Sequence, residues 1–360
     1  MINIQKIVAI QNHGIAGTSL LHSLFDNHSK IISLPWLFGI NFIEDWNETF
    51  KEKKANFNEL KKFIKANYKV LFDIGSYNEK SLSMLGKNMD QKVEVSENIF
   101  FSFLKKNLGQ LSEISRREFI IGVFLSYNEC FGKKFDDDCY ICFPIHSRPL
   151  IIAECLREDF EELKFIHMTR EPVQNISSCM KQYNVKDLSP FNGLLRMATQ
   201  QVINDIGEQL DNQKLYGNQP YFQDSLKVQS RYVRLEDVHN FGKKELSRIA
   251  KWLNIEFEKS MLTSTFMNLE WHNRASSPRI SGLNKVTISQ RFDEYMNLFD
   301  KLRMHYLCRR EKEHFRYKTF KLKENIFLFF TPILIFFPFK SEFNSKRLTA
   351  KICLIKKQNI

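Results

Sequence analysis

The opening stretch of the chain constrains its fold most. Ile7-Val-Ala-Ile-Gln11 is a short apolar run that reads as a buried strand, and it leads straight into Asn12-His-Gly-Ile-Ala-Gly-Thr-Ser-Leu-Leu21. Leu20, Leu21, Leu24 and Phe25 then recur at helical spacing, a stripe suited to packing on a sheet. A strand, a glycine turn and a helix that begins on hydroxyl residues is one way to build an anion cradle. Glycine lets the backbone come close to a charged ligand. The first helical turn offers free N–H groups at the positive end of the dipole. Gly14, Ala16, Gly17, Thr18 and Ser19 are therefore candidate anion-binding residues. The alternative is an ordinary strand-to-helix turn punctuated by glycine. No lysine precedes Thr18, so the nucleotide P-loop pattern is not met, and glycines at 14 and 17 do not fit the dinucleotide fingerprint.

Composition narrows the class. Thirty-three phenylalanines stand against thirteen glycines and nine prolines in 360 residues, which argues for a packed core rather than a disordered or fibrous chain. The formal charge of +12 points to an anionic partner. No Cys/His finger or RNP-type strand is present, so nucleic acid is not the expected one. Lysine runs such as Lys51-Glu-Lys-Lys54 read as solvated faces. The seven cysteines are odd in number and spread through a long chain, which disfavours a disulfide framework. Cys139 and Cys142 have the C-x-x-C spacing, but in a strand-like run their side chains diverge, so they read as buried thiols and no metal is expected.

The first eleven residues lack a basic region followed by a long apolar core, so no secretory leader is expected. Ile326 to Phe339 is an uncharged run of fourteen residues flanked by Lys321, Lys323 and Lys340. It is short of the roughly 20 residues that span a bilayer. It reads either as an interfacial segment against an anionic membrane face or as a buried terminal helix. The expected location is cytoplasmic, peripheral to the inner face of a membrane under the first of those readings.

Strand-like and helix-like segments alternate along the rest. Lys30–Leu34 reads as a second strand, and residues from about 36 to 132 are mostly helical in pattern, an insertion on the core. Tyr140–Phe143 and Leu163–Thr169 read as strands, with a helix over Leu150–Phe160 between them. Val228–Leu235 reads as a strand followed by a Glu-Asp turn and an amphipathic helix from Gly242 to Leu253. The pattern predicts an α/β fold: a P-loop-like three-layer sandwich whose mainly parallel sheet carries helices on both faces. The expected organisation is one α/β domain over residues 1–315 and a basic, apolar C-terminal segment over 316–360.

A second unit carries chemistry. In Phe165-Ile-His-Met-Thr-Arg-Glu-Pro-Val-Gln-Asn-Ile-Ser-Ser-Cys179, Arg170 ends a strand, where open α/β sheets place their ligands, and Pro172 suits the first turn of a helix. Ser178 follows eight positions on (178 − 170 = 8). An arginine fork and a serine hydroxyl suit a phosphate or sulfate. The alternative pairs Arg170 with Glu171 or another carboxylate.

Together the two units resemble the sulfotransferases that use 3′-phosphoadenosine 5′-phosphosulfate (PAPS), of bacterial, carbohydrate-like type. In that family a loop close to G-x-P-R/K-S-G-T-T-x-L follows the first strand and binds the 5′-phosphosulfate end. An R-D-P motif with a serine eight residues after the arginine binds the 3′-phosphate. Residues 12–21 are similar to the first, and Arg170-Glu-Pro172 with Ser178 to the second. Asp26–Ile31, Phe143–Pro149 and Tyr232–Val238 with Trp252–Ile255 resemble further family segments, so the likeness covers about residues 4–35 and 139–295.

The resemblance implies transfer of a sulfuryl group from PAPS to a hydroxyl of a carbohydrate or other acceptor, with no metal. It implies a histidine or glutamate base, for which His146, Glu44 and His13 are the candidates. One departure stands out: Ile15 occupies the place of the family's loop cation. Arg274, Arg279 and Lys285, in a Ser/Pro/Gly loop, are candidate substitutes, with Arg279 placed at the 3′-phosphate by the resemblance. Two other readings stay open: a non-catalytic, membrane-associated nucleotide-binding protein of the same fold, and a diverged nucleotide phosphotransferase.

Overall fold

A computed structural model describes residues 3–11, 15–35, 42–51, 54–73, 84–145, 149–182, 228–272, 281–289, 301, 305, 312–313 and 315–318. The elements in chain order are β1 (Lys6–Gln11), α1 (Thr18–Phe25), β2 (Ile31–Ser33), α2 (Phe42–Phe50), α3 (Phe57–Asn67), α4 (Glu97–Leu108), α5 (Arg116–Glu129), β3 (Tyr140–Ile145) and α6 (Pro149–Asp159). There follow β4 (Glu162–Thr169), α7 (Pro172–Gln182), β5 (Val228–Arg234), α8 (Leu235–Leu253) and a small hairpin of β6 (Thr265–Phe266) and β7 (Leu269–Glu270).

The main sheet has five strands in the order β2-β3-β1-β4-β5. β1 lies at its centre and pairs in parallel with β3 and with β4, Gln11 standing opposite Ile145 and His167. Every residue of β1 after Lys6 is buried, as expected for a strand covered on both faces. From β1 the chain crosses to β2 on one side, and from β3 it crosses back past β1 to β4. Right-handed crossovers in opposite directions place helices on opposite faces of a sheet. The α/β expectation is borne out, with the glycine turn and its helix leaving the central strand in P-loop-like fashion.

Two details of the sheet follow from residue chemistry. Pro144 lies inside β3, where a missing N–H would ordinarily break a ladder. It falls beyond the last β2 pair, Ser33 with Cys142, so β3 is paired on one side only at that point. The Glu236-Asp237 pair does not form the expected turn. It occupies the first turn of α8, which begins directly after β5 and bends at Phe241 (φ −130°, ψ 31°). Acidic side chains there complement the N-terminal end of the helix dipole.

The helices between β2 and β3 are stapled by local signals and one buried cation. Asn56 with Glu59, and Ser115 with Glu118, form capping boxes at the starts of α3 and α5. α5 is buried nearly all round, and Gly122 admits Leu108 of α4, whose Cδ1 would lie 2.5 Å from an added Cβ. Arg116 donates to Asp159 (2.6 Å), Asn47 (2.9 Å) and the Cys155 carbonyl (2.8 Å), tying α5 to α2 and α6. Asp26, at the end of α1, is buried and accepts from Ser33, Thr265 and the Asn268 N–H, with Lys133 3.6 Å away. The chain divides into two compact units, one of residues Met1–Asn12, Gly17–Met168 and Tyr216–Ile288 and one of His13–Ala16, Thr169–Leu215 and Ser289–Ile360.

Candidate functional site

Gly17 caps α1 in the left-handed region (φ 99°, ψ 13°), and its carbonyl accepts the Leu21 N–H at 3.0 Å. Both backbone angle and space demand glycine: an added Cβ would meet Leu235 Cδ1 at 2.5 Å and Met168 Cε at 3.3 Å. The first helical N–H groups, from Thr18 and Ser19 onward, have no partner within the helix. The Thr18 hydroxyl is buried and donates to the Gln11 carbonyl at 3.3 Å, across the turn. Ser19 is half-buried. The side-chain Oε1 of Gln11, at the end of β1, is buried without a hydrogen-bond partner, a polar atom at this strand end that the sequence reading passed over.

The second motif folds as its residues suggest. Arg170 is the first residue after β4, and Pro172 is the first residue of α7. Arg170 is 4% exposed, and its Nη1 donates to the Ile15 carbonyl at 3.3 Å. That bond joins the arginine to the loop residue standing where a cation was expected. Glu171 accepts the Gln174 N–H at 2.9 Å, capping α7, and its other oxygen pairs with Lys312 at 2.8 Å. Ser178 is 1% exposed, and its hydroxyl has no hydrogen-bond partner. A buried hydroxyl left unpaired costs about 1–3 kcal/mol, so a bound anion would relieve it.

Two histidines near these loops are core residues. Burial lowers the pKa of His22, in α1, and of His167, in β4, to about 4 each. His167 stacks on Tyr232 of β5 at 4.7 Å. Both rings are neutral at physiological pH. Of the candidate bases, Glu44 lies half-buried in the first turn of α2, beside Asp45, which accepts the Tyr68 hydroxyl at 2.8 Å. His13, Gly14, His146, Arg274, Arg279 and the 326–339 segment lie outside the described residues. Lys285 is exposed.

Cys139 and Cys142 are free, buried thiols. Burial raises the Cys139 pKa to about 11 and that of Cys142 further, so neither is a ready thiolate. Among the described residues no group of three or more His, Cys, Asp or Glu side chains is arranged to hold a metal ion, and no helix is long and apolar enough to cross a membrane.

The sequence matches no protein-family model, and no curated protein matches it. Solved structures of similar shape include the sulfotransferase domain from the curacin biosynthetic pathway, with 16% identity, a TM-score of 0.47 and coverage of 88% of this chain and 99% of that one. The sulfotransferase domain of the Synechococcus PCC 7002 olefin synthase has 12% identity, a TM-score of 0.44 and coverage of 88% and 97%. The sulfotransferase STF9 from Mycobacterium avium has 12% identity, a TM-score of 0.40 and coverage of 88% and 78%.

Proposed function

We propose that the chain transfers a sulfuryl group from PAPS to a hydroxyl of an acceptor, a glycan being the acceptor class favoured. The observation that carries the reading is Ser178: a hydroxyl 1% exposed and without a partner, eight residues after a buried strand-end arginine. Arg170 and Ser178 are assigned to the 3′-phosphate, with Arg279 as a further cation. The 5′ end is assigned to the loop after β1, through the backbone of Gly14, Ala16, Gly17 and Thr18 and the hydroxyl of Ser19. PAPS is the substrate that supplies the activated sulfur, so the protein's task is placement and charge.

In the step itself the bond from sulfur to the phosphate oxygen breaks and the bond from sulfur to the acceptor oxygen forms. The nucleotide bisphosphate leaves with the bond's electron pair, and the acceptor's proton passes to a base. The base is assigned to His146, with Glu44 and His13 as the alternatives. Backbone N–H groups of the first loop stabilise the charge that grows on the leaving phosphate. The 326–339 segment is assigned to a membrane surface.

Calorimetry of the intact chain with adenosine 3′,5′-bisphosphate tests the nucleotide site. Binding is expected, and Arg170→Ala should weaken it by about 1.5–3 kcal/mol, roughly ten- to a hundred-fold. No binding by the wild-type chain refutes the reading. A second reading is favoured by Ile15, whose carbonyl rather than a cation faces Arg170: the chain binds the nucleotide without transfer. A transfer assay with labelled PAPS and a glycan panel separates the two, since turnover that depends on Arg170 excludes the second.

A further inference from the structure

This inference rests on the nucleotide reading and deepens it. Arg170 is bracketed in sequence by two residues, each gripped from much later in the chain. On one side, Thr169 Oγ1 and the Tyr317 hydroxyl share a buried hydrogen bond at 3.0 Å. On the other, Glu171 Oε1 pairs with Lys312 Nζ at 2.8 Å, while Glu171 Oε2 accepts the Gln174 N–H at the start of α7. Lys312 is 2% exposed, and its ammonium also meets His305 Nδ1 at 2.5 Å. Burial, helped by the Lys312 charge, lowers the His305 pKa to about 4, so the ring is neutral and can accept from the ammonium.

A buried ammonium is costly unless its protons find acceptors, and here two do. The contacts therefore hold the backbone on both sides of Arg170 and, through one carboxylate, the first turn of the helix that carries Ser178. An arginine grips phosphate with a planar fork, so a change of aim weakens both of its hydrogen bonds together. We propose that Lys312 and Tyr317 are positioning residues that aim Arg170 and α7 at the 3′-phosphate of the nucleotide. They act through Glu171 and Thr169 and do not touch the nucleotide.

The test uses two nucleotides that differ only in the 3′-phosphate: adenosine 3′,5′-bisphosphate and adenosine 5′-monophosphate. Calorimetry on the intact chain compares wild type, Lys312→Met and Tyr317→Phe. Bisphosphate affinity should fall about ten-fold or more in Lys312→Met and about three- to ten-fold in Tyr317→Phe, with monophosphate affinity changed less than about two-fold. Equal losses for both nucleotides reveal a merely structural role and overturn the proposal. So does unchanged bisphosphate affinity in folded variants. Should Lys312→Met fail to fold, Tyr317→Phe removes one hydroxyl and carries the test. A wild-type chain that shows no preference for the bisphosphate removes the nucleotide reading itself, and the proposal with it. A wild-type preference that the variants leave intact overturns the proposal alone.

Discussion

Gly17→Ala is the sharpest probe of the turn after β1. The added methyl group acts in two ways. At φ 99° an L-residue is in the left-handed region, which costs about 1–2 kcal/mol. The new Cβ would also lie 2.5 Å from Leu235 Cδ1, more than 1 Å inside ordinary carbon contact. Leu235 is buried at the start of α8, so its side chain must shift to admit the methyl group, and overpacking adds about 1–3 kcal/mol. Together Gly17→Ala should cost about 2–5 kcal/mol, read by equilibrium urea unfolding followed by circular dichroism. A double-mutant cycle separates the two parts. Leu235→Ala alone should cost about 2–5 kcal/mol as a cavity. In the double variant the trimmed side chain makes room for the methyl, so the pair should be more stable than additivity predicts by about 1–3 kcal/mol. The dihedral part stays. A Gly17→Ala cost below about 1 kcal/mol, or strictly additive variants, refutes the packing described for this turn.

Three further outcomes follow from the same geometry. Because burial lowers the His22 pKa from 6.5 to about 4, the unfolded chain binds the extra proton. Its stabilising effect is complete above pH 6.5 and is lost as pH falls toward 4, a loss of about 3 kcal/mol; urea midpoints should show a shallower acid decline in His22→Leu, and an unchanged decline rejects this. Arg116→Met strands Asp159 and should destabilise the chain by about 3–5 kcal/mol, with Arg116→Met/Asp159→Asn recovering part of it in thermal melts; no recovery means that the pair is not the cause. Ser178→Ala should leave stability unchanged or raise it by up to about 1 kcal/mol, since the hydroxyl is unpaired in the fold. It should still weaken bisphosphate binding measured by calorimetry, and a destabilised variant with normal affinity would place that hydroxyl in the fold instead.

Local signals were readable from the chain alone. An unbroken apolar run marks β1, a proline marks the start of α7, and Gly17 sits where a left-handed residue is needed. Arg170 and Ser178 stand out in the sequence because their spacing is short and their residue types suit anions. What escaped was set by distant contacts. Nothing near Lys312 or Tyr317 hints that they grip residues about 140 positions earlier (312 − 171 = 141; 317 − 169 = 148). Arg116, in an Arg-Arg pair at a helix start, looks like a solvated charge until Asp159 and Asn47 close over it. The Glu236-Asp237 pair has turn-like composition, yet acidic residues are equally at home in a first helical turn, and the strand before it decided the matter. The Thr18 hydroxyl is visible in the sequence, whereas the Gln11 carbonyl that takes its proton is not.

The position of β1 at the centre of the sheet bears on how the chain is made. Its pairing partners come 134 and 156 residues later (140 − 6 = 134; 162 − 6 = 156). During synthesis β1 emerges well before either partner, and its second ladder waits until His167, opposite Gln11, has been added. Helices α2 to α5 need only nearer contacts and can form in the interval. Until β3 and β4 arrive, an apolar strand with bare edges is open to misassociation, the state that chaperones shield. The central strand of the sheet thus waits unpaired through the whole helical stretch that precedes β3.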